Sequence, residues 1–322
     1  MTSIDIQPLT EADLPAAGRL LAERHRQHRA AHPFLPERYE DPAAAEVEVV
    51  TAWKNDSASG AVARRGDEVV GFLLGSTKAS STWGPNMWVE AAGQAVDEPE
   101  VMRDLYACAA TRWVDEGRTA HYVIVPAHDE GLLRAWFRLG FGQQHAHAVR
   151  ATPTSRPSVP AGLVVRPAER GDIPVLARLD LELPKHQGLA ATFSAGDPGS
   201  LEESLEDWNE DFDNDDIGAF VAERDGEVIG SAVGVPVEMS SSHAGLARPE
   251  NASILSFAAV FPSARGLGAG RALGEAVLGW SADQGYRCVV TDWRTTNLLS
   301  SRAWPALGFE ETFLRLHRLI RY

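Results

Sequence analysis

No apolar run in this chain approaches the ~20 residues that a membrane-spanning helix requires, so a spanning segment is excluded from the reading. The first residues, MTSIDIQPLTEADL, have no basic stretch followed by an apolar core, and with no export signal a cytoplasmic location is expected. Cysteine is scarce: Cys108 and Cys288 stand far apart, without a CxxC spacing or a partnering histidine. That excludes a disulfide framework and a zinc site, and no metal is expected. Positive charge is in deficit, with 30 Lys and Arg against 45 Asp and Glu for a net charge of −15. No basic run offsets it, so nucleic acid and anionic membrane are excluded as partners. What is present is 322 residues of 44% hydrophobic composition, enough for two ordinary domains.

The chain is written twice. AVARRGDEVVGF (61–72) answers FVAERDGEVIGS (220–231) at an offset of 159, and EADLP answers RGDIP at the same offset. RAWFRLGF (134–141) answers RAWPALGF (302–309) at an offset of 168. Between the copies, ATPTSRPSVPAG (151–162) is rich in proline and small polar residues and reads as an extended connection. The expected domains are therefore 1–150 and 162–322, joined by a linker at 151–161. Each copy reads as a short strand, a helix started by Asp13 or Asp172 as N-cap, a strand pair, a further strand, a helix, a strand, a short helix and a last strand. Asp225-Gly226 is a strong hairpin signal within the second strand pair. The fold class is α+β: two tandem domains, each a mostly antiparallel mixed sheet flanked by helices.

The stretch VFPSARGLGAGRAL (260–273) places Gly266, Gly268 and Gly270 where a strand gives way to a helix. Backbone N–H groups are unpaired at a helix N-terminus and the helix dipole adds partial positive charge, so an anion can rest there. Glycines remove the Cβ atoms that would hold it away, and Arg265 and Arg271 bracket the loop. The helix that follows carries an apolar stripe of Ala272, Leu273, Ala276, Val277 and Trp280, with Gly285 placed to close it. A dinucleotide fingerprint would need glycine at Arg271 or Leu273, and no Walker motif is present. A ligand-free turn is the competing reading of the loop by itself.

The string V-x-P-x-x-R-G-x-G-x-G, then helix, strand, Asn297, Trp304 and Gly308-Phe309, resembles the GCN5-related N-acetyltransferases (GNAT) over the whole second half. The resemblance implies that the glycine loop cradles the pyrophosphate of acetyl-CoA and that the strand before it splays from the next strand to admit the pantetheine arm. It implies cofactor contacts from Ala259, Val260, Arg265, Gly266, Leu267, Gly268, Ala269, Gly270, Arg271, Asn297, Ser300 and Trp304. At the offset of 168, Asp97, Glu98, Glu100 and Met102 fall under Arg265, Gly266, Gly268 and Gly270. The first half is thus expected to have lost the pyrophosphate site and to serve as a structural partner.

Acetyl transfer to an amine needs a base for the ammonium proton, a donor to the thioester oxygen and a proton for the leaving thiolate. Asp292, five residues before Asn297, stands where some members of the family carry a glutamate base, and is the candidate general base; a solvated strand-end carboxylate held by Arg294 is the alternative. The family's usual acid, a tyrosine seven residues after the asparagine, is Trp304 here, which cannot give up a proton at useful pH. Either another group such as His317 or water then protonates the thiolate, or the thiolate leaves unassisted near the helix N-terminus. LEESLEDWNEDFDNDD (201–216) holds nine acidic residues and no basic one, and reads either as a solvated face or as a rim that concentrates cationic amines. The function expected is acetyl transfer from acetyl-CoA to a primary amine of a small or peptidic, cationic acceptor, in a monomer or homodimer. The alternatives are a non-catalytic acyl-CoA sensor or scaffold, and acetylation of a thiol or hydroxyl.

Overall fold

A computed structural model describes residues 4–155, 159–194 and 199–321. The chain forms two compact units. The first comprises Met1–Ala146, Ala244–Glu250 and Thr312–Tyr322; the second comprises His147–His243 and Asn251–Glu311. Residues 156–158, within the expected linker, lie outside the described residues. Among the described residues no helix is long and apolar enough to cross a membrane.

The first unit runs β1 (Ile4–Pro8), α1 (Leu14–Ala31), α2 (Pro42–Trp53), β2 (Ser59–Arg65), β3 (Glu68–Gly75), β4 (Asn86–Val89), β5 (Gln94–Val96), α3 (Val101–Asp115), β6 (Ala120–Pro126) and α4 (Glu130–Arg138). Strands β1, β2, β3 and β5 form an antiparallel sheet in that order, and β4 pairs parallel with β6. Leu21 and Val49 of the helices pack with Phe72 and Leu74 of β3 in one core cluster. Strand β7 (Gly142–Ala151) carries the chain out of this unit after Ala146.

In the second unit come β8 (Val164–Pro167), α5 (Ile173–Asp180), α6 (Glu182–Gly188), α7 (Leu201–Asp211), β9 (Gly218–Arg224), β10 (Glu227–Pro236), β11 (Ala252–Val260), α8 (Ala269–Asp283), β12 (Cys288–Arg294) and α9 (Ser300–Ala306). The sheet order is β12-β11-β10-β9-β8, and only the β11–β12 pair is parallel. Asp225 and Gly226 turn the β9–β10 hairpin with φ of 52° and 81°, both left-handed, as the sequence signal requires. Helix α8 buries Ala272, Leu273 and Val277 of the expected stripe and adds Gly274 and Leu278, while Ala276 and Trp280 are half-buried. The added face exists because a Cβ on Gly274 would come 2.7 Å from Leu307 Cδ1, just beyond α9.

The repeat is structural as well as textual. At the offset of 168, α3 maps onto α8, β6 onto β12 and β7 onto β13 (Glu310–Leu319), end for end. The last strands, however, are exchanged between the units. From Thr312 the strand β13 belongs to the first unit, where Phe313–Leu319 pairs antiparallel with Pro126–Ala120 of β6. His147–Ala151 of β7 belongs to the second unit, where Arg150 lies 3.6 Å from the Cβ position of Gly308. The compact units therefore differ from two contiguous halves. A terminal strand takes whichever sheet edge offers open hydrogen-bonding groups, and its own sequence does not say which.

Asp13 and Asp172 do precede α1 and α5, but their carboxylates turn backwards. Each closes a capping box at the preceding short 3₁₀ turn, Asp13 Oδ2 accepting from Thr10 N at 2.9 Å and Asp172 Oδ2 from Glu169 N at 2.8 Å. One helix differs between the copies. Where α1 is continuous, Pro184 lacks the N–H that would bond Asp180, and the equivalent stretch breaks into α5 and α6.

Asp172 also receives Arg166 Nη1 at 2.7 Å and Nη2 at 3.1 Å, and this guanidinium holds the Asp172 carboxyl below its ordinary range. A depressed carboxyl contributes stability above its unfolded pKa of ~3.9 and loses it as pH falls through the lower folded value. We expect Asp172→Asn to cost about 1–3 kcal/mol at pH 7. In urea unfolding followed by circular dichroism, the difference from wild type should shrink by pH 3. A gap that stays constant with pH would show that the ion pair does not carry the effect.

Candidate active site

Strands β11 and β12 pair over three positions only, Ala252↔Cys288, Ser253↔Val289 and Ile254↔Val290. Beyond them the strands part. Thr291 Oγ1 donates to the Leu255 carbonyl at 3.0 Å where the ladder stops. On its other side β11 stays paired with β10, with a bulge that skips Ser256 between Leu255↔Gly234 and Phe257↔Val233. The edge of Ser256–Val260 that would face β12 is thus left without a strand partner. A cavity of about 350 Å³ opens there, walled by β11 from Leu255 to Val260, β12 from Thr291 to Arg294, the glycine loop, α6 and α9.

The loop is shaped by two left-handed glycines, Gly266 at φ 82° and Gly268 at φ 85°, and Gly268 is the N-cap of α8. A side chain at either position would be strained. The first bond into the helix runs from Ala272 N to the Gly268 carbonyl at 3.0 Å, so the N–H groups of Ala269, Gly270 and Arg271 precede any intrahelical acceptor. Arg265 Nε is held 3.4 Å from the Val260 carbonyl. Gly270 needs no special backbone angle, and its Cβ position clears Val260 by 3.9 Å. The combination of open N–H groups, helix dipole and missing Cβ atoms fits a phosphate.

The cavity gathers most of the residues singled out in the sequence: Ala259, Val260, Arg265, Gly266, Gly268, Ala269, Gly270, Asp292, Asn297, Ser300 and Trp304. Leu267 and Arg271 are not among its lining residues, and both side chains are exposed. His317 lies in the part of β13 that belongs to the first unit, opposite Tyr122, and does not line the cavity either. None of the nine acidic residues of 201–216 lines it; those of α7 face solvent, while Trp208 anchors the helix by donating to Asp180 Oδ2 at 2.6 Å. The carboxylates in the wall are Glu182 and Asp292.

Three further residues belong to the site without having been singled out. His186 of α6 lines the cavity with its Nε2 3.2 Å from Asn297 Oδ1, and Asn297 Oδ1 also accepts from Leu299 N at 3.1 Å. Ser242 donates to Asp292 Oδ2 at 2.7 Å, and His243, 1% exposed, sets Nδ1 3.7 Å from the same oxygen. Pro184 was the available signal for His186, since a helix broken there aims its second piece differently. Nothing local marks the loop holding Ser242 and His243 as a neighbour of β12.

The first unit shows what happens when the same gap is filled. By ladder register Gln94, paired with Leu73, corresponds to Ala258, paired with Ala232. Gln94 Nε2 donates to the Ile124 carbonyl at 2.7 Å, bridging β5 to β6 at the position that corresponds to Asp292. Trp136, the counterpart of Trp304, donates to Gln94 Oε1 at 3.0 Å. Arg24, the counterpart of Leu183, donates to the carbonyls of Gln94 and Ala91, and burial lowers its pKa to about 10. At the loop, Glu100 enters α3 with φ −66° where Gly268 turns at 85°, and pairs with Arg103 and Arg138; Met102 is fully buried. In this unit Gln94 and Arg24 thus occupy the place of the gap, and a residue with ordinary helical angles stands where Gly268 turns.

Residues 186–309 match the family model described as Acetyltransferase (GNAT) family. Among curated proteins no match is found. Among solved structures, a GCN5-related N-acetyltransferase from Sphaerobacter thermophilus is similar over 99% of this chain and 96% of its own, at 15% identity and a TM-score of 0.59. The GCN5-related glucosamine N-acetyltransferase region of a fungal multi-domain GH3 beta-N-acetylglucosaminidase is similar over 99% of this chain and 38% of that one, at 13% identity and a TM-score of 0.53. A tandem GNAT protein from the clavulanic acid biosynthesis pathway is similar over 98% of both chains, at 17% identity and a TM-score of 0.47. The family match covers the glycine loop and the parted strands, and along its length the chain has the fold of a GCN5-related N-acetyltransferase.

Proposed function

We propose that the protein moves an acetyl group from acetyl-CoA, bound in the second unit, to a primary amine of a small or peptidic, cationic acceptor by direct attack in a ternary complex. The observation that carries this reading is the gap between β11 and β12, which ends on a glycine-turned helix N-terminus and has Asp292 in its wall. An amide-bearing arm laid along Ser256–Val260 gains the hydrogen bonds of an added strand. Its pyrophosphate then meets the N–H groups of Gly266–Gly270, with Arg265 beside them. The acceptor is drawn as a cation by Glu182 and Asp292 in the wall and by a protein of net charge −15.

Asp292 takes the ammonium proton, freeing the nitrogen lone pair to attack the thioester carbonyl. The tetrahedral intermediate collapses with the electron pair of the C–S bond leaving on sulfur. Trp304, 9% exposed and edge-on to Phe309, packs in the wall and takes no part in proton transfer. That tryptophan also supports a second reading, an acyl-CoA binder without turnover. Release of free CoA thiol in the presence of an amine panel separates the two.

Calorimetry should give one acetyl-CoA per chain, and Gly268→Glu should abolish binding by straining the turn and setting a carboxylate in the cradle. Two sites per chain, or affinity that survives the substitution, would remove the loop from the account.

Asp292→Asn should leave acetyl-CoA affinity unchanged and lower kcat by ~10²–10⁴ near neutrality. The loss should shrink as pH rises, because more of the acceptor amine is already neutral. A loss independent of pH would return Asp292 to a structural role.

A further inference from the structure

Asp292 is one end of a hydrogen-bonded line that leads away from the cavity. Ser242 Oγ stands 2.7 Å from Asp292 Oδ2 and 3.2 Å from His243 Nδ1. The same Nδ1 is 3.4 Å from Ser240 Oγ, whose oxygen also accepts from the backbone N–H groups of Ser242 and His243 at 3.3 and 3.4 Å. These bonds fix the loop that follows β10 against β12. The ring of His243 is buried, and the ring centroid of His147, from β7, lies 4.9 Å from its own. A serine hydroxyl between a carboxylate and an imidazole can accept a proton on one side while donating one on the other.

We propose that Ser242 and His243 form a proton relay for Asp292, a proposal that rests on the acetyltransferase reading of the cavity. When Asp292 removes the ammonium proton, its carboxyl donates to Ser242 Oγ while the Ser242 hydroxyl proton passes to His243 Nδ1. Asp292 is again a carboxylate, and His243 is an imidazolium 3.7 Å from it. The amine nitrogen bonds to the acetyl carbon, and the C–S bond breaks with its electron pair on sulfur. The stored proton returns through Ser242 and Asp292 to the thiolate, and the N-protonated amide releases its extra proton to solvent. One ammonium and one thioester thus give one amide, one thiol and one free proton. The relay supplies the proton that Trp304 cannot. Ser242 and His243 act through Asp292 and are positioning residues. Among the titratable groups that face His243 are Asp292 on β12 and His147 on β7; a carboxylate favours its cation and a second imidazole opposes a second charge.

The test uses the full chain with acetyl-CoA and an amine that wild type acetylates. Ser242→Ala should lower kcat at least about tenfold near neutrality, with KM for acetyl-CoA unchanged and a loss that shrinks as pH rises. Ser242→Thr, which keeps the hydroxyl, should restore the rate. Because the residues act in series, Asp292→Asn combined with Ser242→Ala should be no slower than Asp292→Asn alone. A second readout needs no turnover: in ¹⁵N-histidine NMR, Asp292→Asn should lower the titration midpoint of His243, with His243→Gln identifying its signal. Full activity in Ser242→Ala, additive losses in the double variant, or an unmoved His243 midpoint would overturn the relay. A wild type that acetylates no amine while His243 still responds to Asp292→Asn would instead overturn the functional reading and, with it, the relay's role in acetyl transfer.

Discussion

The three-residue pairing of β11 with β12 is the constraint on which the rest of the second unit depends. Parallel strands in a buried sheet normally continue until one of them ends, because each unpaired backbone group costs a hydrogen bond. Here pairing stops with six residues of β11 still to come. Thr291 satisfies the first freed carbonyl, and the bulge at Ser256 keeps β11 attached to β10 while its other edge opens. The glycine turn then starts α8 at the far end of the opening, and Asp292 lies in its near wall. An edge of amide groups, a positive helix terminus and a carboxylate are thereby brought to one cavity.

The first unit supplies an internal control on that logic. It keeps the same order of elements, with α1 continuous where α5 and α6 are separate, and its β5 also fails to pair with β6. What differs is the filling. Gln94 bridges the strands, Arg24 caps two carbonyls and Trp136 locks Gln94 in place. Hydrogen bonds from a charged donor are worth ~1.5–3 kcal/mol each, so a ligand entering this cleft would first have to break bonds that already satisfy the open edges. A glutamate with ordinary helical angles has replaced the left-handed glycine. The first unit thus keeps the fold while other side chains fill the place of the gap.

Much of this was legible in the sequence, for identifiable reasons. The repeat, the Asp225-Gly226 hairpin and the strand-to-helix glycines are local signals, set by backbone sterics and by residues adjacent in the chain. The match of Gly266, Gly268 and Gly270 to acidic residues and Met102 needed only an offset. The exchange of the last strands was not legible, because strand partners are chosen between distant edges. Ser242 and His243 escaped for a related reason: their partner is 50 positions away and the loop that holds them has no periodicity. His317 looked useful as a lone histidine near the end of the motif, but the exchange carries it into the first unit. The acidic run was legible as charge and not as placement, and it covers the outer face of α7.

Hydrogen exchange followed by mass spectrometry, with and without acetyl-CoA, tests most directly the claim that a parted strand edge and its adjoining helix terminus form the one binding cleft. The amide groups of 256–260 and 266–271 should exchange more slowly when acetyl-CoA is present, while those of 94–102 should be unchanged. Protection confined to the first unit, or no protection along β11 at saturating acetyl-CoA, would contradict it.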